Sequence, residues 1–265
     1  MKRILFITAL PALLALLSLE ADAQPRKIKG SKAIRTETRE IGTYCGLNVS
    51  RGIKATLTDD APGRLVVEAN ENILPYLDIA VDTKGILHLD IDRKIASISN
   101  LTISIRVPHP ETLQSVTASS GAEVTSRTIS VSPLLDIRAS SGAEIEIACQ
   151  SDGCTLSASS GAEIKANVSA RRCAVKANSG AEISIKGSAD ECRITTSSGA
   201  ECRARNLITR NTEANASSGS EIRITCTETI EATASSGGGI DYWGDCRRIN
   251  ETKSITGNIS HKFKL

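Results

Sequence analysis

Ser119-Ser120-Gly121-Ala122-Glu123 is the first of seven copies of one phrase. It returns as Ser140-Ser141-Gly142-Ala143-Glu144, Ser159-Ser160-Gly161-Ala162-Glu163, Asn178-Ser179-Gly180-Ala181-Glu182, Ser197-Ser198-Gly199-Ala200-Glu201 and Ser217-Ser218-Gly219-Ser220-Glu221, and ends in a worn copy, Ser235-Ser236-Gly237-Gly238-Gly239. Successive glycines lie 21, 19, 19, 19, 20 and 18 residues apart. A near-constant period of this length marks a solenoid, in which each repeat stacks only on its neighbours.

Counting from each glycine as zero lays the repeats out in columns. Position −7 holds Leu135, Cys154, Cys173, Cys192, Thr212 and Ile230, and −5 holds Val116, Ile137, Leu156, Val175, Ile194, Ala214 and Ala232. Position −3 is Ala in every copy except Thr196, and +3 holds Val124, Ile145, Ile164, Ile183, Cys202, Ile222 and Ile240. Polar residues such as Arg138, Ser157, Lys176 and Thr195 fill −4. Alternation with period two is the pattern of a half-buried strand. Each rung therefore reads as two short strands joined at the Ser-Ser-Gly corner. The corner glycine serves either a positive φ or a close backbone approach, and Ala at +1 fills the inside of the bend. Seven corners at a strand spacing of ~4.8 Å make a stack of about 29 Å.

Working outward, residues 44–57 show the same layout around Gly52, with Cys45 at −7, and read as a divergent early copy. Asp82-Thr83-Lys84-Gly85 between two alternating runs is a hairpin signal. Leu101, Ile103, Ile105 and Val107 alternate until Pro108-His109-Pro110 ends the strand. Residues 44–110 thus form an N-terminal β cap and first rung, and 111–245 form the solenoid. Residues 24–43, polar and without period, read as a flexible lead-in, and 246–265 as an irregular C-terminal cap or tail. Residues 1–23, with Lys2 and Arg3, an apolar run and Ala21-Asp22-Ala23, read as a cleaved signal peptide. The expected class is all-β, a parallel β-solenoid of ~19-residue rungs.

A net charge of +2 gives no reason to expect nucleic acid. Aromatics make up 2% of the chain, which suits a thin stack filled by Ala, Val, Ile, Leu and Cys. Export would permit disulfides among the eight cysteines.

The pieces Arg51-Gly52-Ile53-Lys54-Ala55, Val66-Val67-Glu68-Ala69, Gly85-Ile86-Leu87-His88-Leu89, Ile103-Ser104-Ile105-Arg106-Val107-Pro108 and the Ser-Gly-Ala-Glu corners together resemble the head GIN domain family of bacterial autotransporter adhesins. The resemblance covers about residues 44–245. The family's corner phrase usually ends in Asp, and here Glu takes that place. The resemblance implies an exported β-solenoid and no established activity, since adhesin is a fold-level label for this family.

Three constellations could carry chemistry. Glu123, Glu144, Glu163, Glu182, Glu201 and Glu221 form an outward column at +2, with Lys165, Arg203 and Arg223 at +4 and Arg138 and Lys176 at −4 on the same outer surface. The column is either a solvated stripe that keeps the stack soluble or a binding surface, in which Ca²⁺ could bridge two rungs. Cys154, Cys173 and Cys192 form an inward ladder, either disulfide-bonded or reduced apolar filler, and Cys149 and Cys154 could close one loop. His88, His109 and His261 lie too far from the cysteines in sequence for zinc. A Ser nucleophile needs a positioned base, and no His lies between residues 110 and 260. The sequence thus points to an exported, non-enzymatic structural or binding module, without cofactor or resident metal, at the periplasm, outer-membrane surface or outside the cell. It would present polar β faces to a surface protein or glycan. The alternatives are a polysaccharide-acting enzyme of the β-helix type and an envelope scaffold that associates with itself.

Overall fold

The structure, a computed structural model, describes residues 26–263. The expected signal peptide lies outside the described residues. Apart from one turn of 3₁₀ helix at Leu74–Tyr76, the regular structure is all β.

Six long strands build the stack: β11 (Glu123–Ser140), β12 (Glu144–Ser159), β13 (Glu163–Ala177), β14 (Glu182–Thr196), β15 (Glu201–Ala216) and β16 (Glu221–Ala234). Each pairs in parallel with the next, corner on corner. A rung is not two separate strands, as the sequence suggested. Its two arms are one hydrogen-bonded run that turns again at a second bend opposite the corner, at Gln150–Gly153 in β12, where the inward–outward alternation slips. The columns read from the sequence are the real ones: Ile145, Ile164, Ile183, Cys202 and Ile222 stack in register and are wholly buried. Rungs longer than 19 residues absorb the excess as irregularities away from the corner, between Thr125 and Ile129 and between Ala204 and Ile208.

The corner is a tight turn with two consecutive left-handed residues. Ser160 has φ 53° and Gly161 φ 69°, and the Ala162 N–H closes the turn on the Ser159 carbonyl at 3.2 Å. Positive φ at both central residues is the type I′ geometry. An added Cβ on Gly121, Gly142, Gly161, Gly180, Gly199 or Gly219 would meet nothing within 4 Å. The corner glycine is therefore selected for its φ, and close approach plays no part. A left-handed Ser costs energy, and the stack offsets it by linking corners: Gly142 N–H donates to the Ser160 carbonyl and Gly161 N–H to that of Ser179, each at 3.1 Å. Two polar residues break the small apolar columns, Thr196 at −3 and Ser220 at +1. Both are buried, and their hydroxyls lie 2.8 Å apart across adjacent rungs.

Upstream, β3 (Gly46–Val49) and β4 (Lys54–Thr58) form the divergent early rung. β10 (Ser115–Ala118) and β11 lie on one side of it, with Val116 beside Leu47 and Glu123 beside Lys54. β7 (Ile86–Ile91) and β9 (Ile103–Pro108) stack on its other side, so this early rung sits inside the stack. Three antiparallel strands cover the end: β5 (Arg64–Asn70) on β9, β6 (Leu77–Val81) on β7, and β2 (Ile34–Glu40) on β5. The β6–β7 hairpin turns at Asp82, whose carboxylate accepts the N–H groups of Lys84 and Ile86 at 2.8 and 2.9 Å. The flexible lead-in is corrected: β1 (Arg26–Lys29) pairs with β8 (Ile95–Ser99), and β2 joins the main sheet.

The irregular tail is corrected too. After β17 (Gly239–Trp243), β18 (Arg248–Lys253) stacks on β16 and β19 (Asn258–His261) on β17, so one more rung follows the worn corner. Its corner, Ser254-Ile255-Thr256-Gly257, closes through Gly257 N–H on the Ser254 carbonyl at 3.1 Å. It lacks the Ser-Gly pair that would have announced it. Tyr242 is buried beneath this rung, stacked on His261 at 4.7 Å.

Candidate functional site

The six glutamates stand in one unbroken column, each facing the next in register, with Lys54 extending the line on the early rung. Adjacent carboxylates at strand spacing repel by ~1 kcal/mol in bulk water and more near a protein surface. Side chains two positions further along offset this. Lys165 lies 2.8 Å from Glu144 and 3.0 Å from Glu163. Arg203 bridges Glu182 and Glu201, and Arg223 lies 2.6 Å from Glu201 and 2.7 Å from Glu221. Lys54 takes Glu123 at 2.5 Å. These contacts raise the pKa values of Lys54, Lys165 and Arg203, in each case chiefly through the hydrogen bond to a column glutamate. The +4 cations therefore act as the sequence suggested. Of the two at −4, Arg138 turns to Asp136 at 2.6 Å and takes no part in the column.

The cysteine ladder also forms in register, Cys154 beside Cys173 beside Cys192, all buried. All eight cysteines are free thiols. Burial holds the Cys202 thiol well above its ordinary pKa; for Cys173 the larger cause is the hydrogen bond with Cys192, with burial second. Among the described residues, no group of three or more His, Cys, Asp or Glu is placed to hold a metal ion.

Two features escaped the sequence. One is a groove of about 1140 Å³ along the second bend. Its floor is the cysteine ladder and Ala174, and Arg172, Glu191, Arg193, Asn211 and Glu213 rise along its sides. It runs across successive rungs, so no single repeat contains it. Its residues flank the −7 column, whose apolar side chains the alternation assigns to the core. The other is a Ser–His contact: His109 Nε2 lies 2.8 Å from Ser130 Oγ, and His109 Nδ1 lies 2.7 Å from the Pro110 carbonyl. The carbonyl only accepts, so Nδ1 carries the proton and Nε2 accepts from the hydroxyl. No His lies between residues 110 and 260, and this one comes from the segment just before them. Ser130 is wholly buried, so no substrate carbonyl reaches it. The pair ties the cap to the first long strand.

A parallel β-solenoid with one antiparallel capped end and a groove crossing its rungs defines a class of extended, repeat-built surface. Residues 43–246 match the family described as "putative auto-transporter adhesin, head GIN domain", and the chain belongs to it. No curated protein matches the chain. The fold is similar to that of a crystal structure named a putative lipid binding protein from Parabacteroides distasonis, at 19% identity and TM-score 0.81, covering 89% of this chain and 100% of that one. It is also similar to a putative adhesin from the same organism (16%, TM-score 0.79, 89% and 100% covered) and to one from Parabacteroides merdae (17%, TM-score 0.77, 89% and 99% covered). Among the described residues, no helix is long and apolar enough to cross a membrane.

Proposed function

We infer that this chain is an exported, non-enzymatic binding module that holds an extended ligand, a glycan of the cell surface or its surroundings, along the groove of the second bend. The observation that carries this is the groove's direction: it crosses the rungs, so each rung offers the next an equivalent set of side chains at strand spacing. Such a site suits a polymer better than a compact substrate. Family membership and the adhesin-named structures support a binding role. The glutamate column, with each carboxylate already engaged by a cation, serves as a solvated stripe that keeps the flat face from associating. The Ser130–His109 pair is sealed from solvent and supports no hydrolysis.

The test is retention on a panel of immobilised neutral and uronic glycans, with phospholipid vesicles as a second arm. Retention without turnover, lost in Arg172→Glu and kept in Arg203→Ala on the other arm of the rung, supports the reading. Glycan turnover would make the chain an enzyme. Retention on vesicles alone would move the ligand to the lipid class named for one of the similar structures.

A further inference from the structure

Cys149 and Cys154 occupy the two sides of the second bend of β12, five residues apart, and both face the interior. Their sulfurs are 3.7 Å apart. The strand arms on either side are fixed by pairing to the next rung, Cys149 opposite Val168 and Cys154 opposite Cys173. Closing the gap to a disulfide's ~2.0 Å moves the sulfurs by about 1.7 Å in total. The ladder offers Cys154 a rival in Cys173, directly beside it in register. We propose that Cys149 and Cys154 are a modification site: on oxidation they form a disulfide across the second bend, and Cys173 and Cys192 remain thiols.

The reaction is thiol–disulfide exchange with a small-molecule or protein disulfide as the oxidant. The Cys149 thiolate attacks one sulfur of that disulfide and expels the other as a thiolate. The Cys154 thiolate then attacks Cys149 Sγ in the mixed disulfide and expels the second. Two protein thiols become one disulfide, the oxidant is reduced to two thiols, and the protein's two protons pass to them. The order follows from the site. The hydrogen bond from Cys154 lowers the Cys149 pKa, while that of Cys154 is raised, first by the same contact and then by burial. Both residues are almost fully buried, so the finished bond is shielded. Cys154 lies in the floor of the groove, so the disulfide would set the shape of that floor. The inference does not depend on what the groove binds.

The full chain is refolded in a glutathione buffer rich in the oxidised form, alkylated under denaturing conditions, digested and mapped by mass. The expected result is a Cys149–Cys154 link with Cys173, Cys192 and Cys202 alkylated. Alkylation of both Cys149 and Cys154, or a Cys154–Cys173 link, overturns the proposal. In parallel, reductant should lower the melting temperature of the wild-type protein and leave those of C149A and C154A unchanged. Equal sensitivity to reductant in all three proteins would place the bond elsewhere and equally overturn it.

Discussion

Replacing a corner glycine separates conformational cost from steric cost. In Gly161→Ala the new methyl meets no atom within 4 Å, yet the residue must hold φ +69°. The left-handed conformation costs an L-residue about 1–2 kcal/mol, and the lower entropy of the unfolded chain returns about 0.4–1 kcal/mol. The net loss is about 1 kcal/mol, or about 2–4 °C in melting temperature for a domain of this size. Gly161→Asn should cost less, because Asn visits the left-handed region readily, and Gly161→Val should cost more. Gly187→Ala adds a steric cost to a conformational one, since its φ is +113° and its Cβ would lie 2.1 Å from the Val168 carbonyl oxygen. That backbone must move, so the loss should be several-fold larger. Thermal melts of the four variants, followed by far-ultraviolet circular dichroism, give the ranking. If Gly161→Ala matched Gly187→Ala, or if Asn were no better than Ala, the corner glycine would be there for space and the φ argument would fail.

Other expectations follow from particular contacts. His109→Ala orphans the buried Ser130 hydroxyl and should cost about 1–3 kcal/mol; urea unfolding should show Ser130→Ala recovering part of this in the double variant. Thr196→Ala with Ser220→Ala restores the residue that the other rungs carry at both positions, so the double variant should be close to neutral in the same assay. Arg203→Ala leaves Glu182 and Glu201 side by side and should cost under about 1 kcal/mol, a loss that shrinks in molar salt because the side chains are partly exposed. The Asp82 pKa is lowered to about 2, first by the hydrogen bond with His88 and then by that from Ile86 N–H. Its folded pKa lies below the ordinary carboxyl value of 3.8, so its contribution is complete above 3.8 and is lost as pH falls through about 2. Carboxyl NMR should place its midpoint there.

The register of the solenoid was legible because its cause is local and repeated. A left-handed Ser-Gly pair can turn the chain only where glycine stands, so the glycine spacing is the rung length. Inward columns need small or branched apolar residues, so parity alone assigned the core. The second bend was not legible, since Gln150-Ser151-Asp152-Gly153 and its counterparts share no residue pattern from rung to rung. The groove that forms there was invisible for the same reason. The ion pairs of the glutamate column were half legible: the +4 cations could be listed, but only the structure shows that Arg203 and Arg223 both reach Glu201.

Two segments without apolar period, residues 24–43 and 246–265, supply strands at the two ends of the stack, and their location explains why the sequence reads there as a flexible lead-in and an irregular cap or tail. A central rung buries alternate residues and so writes its period into the sequence. An end strand has a neighbour on one side only, and its free edge must discourage pairing with other chains, which proteins achieve with charge. β2 carries Arg35, Glu37, Arg39 and Glu40 in seven residues, and β18 carries Arg248, Glu251 and Lys253 in six, with every β18 side chain exposed. The composition that hid these strands from a reading by apolar period is the composition that protects an open sheet. It also weighs against the self-associating scaffold. Edge-to-edge growth through β2 or β18 would have to desolvate those charges. The protein should therefore stay monomeric in light scattering at low salt. Charge-removing substitutions in β18 should let it associate end to end.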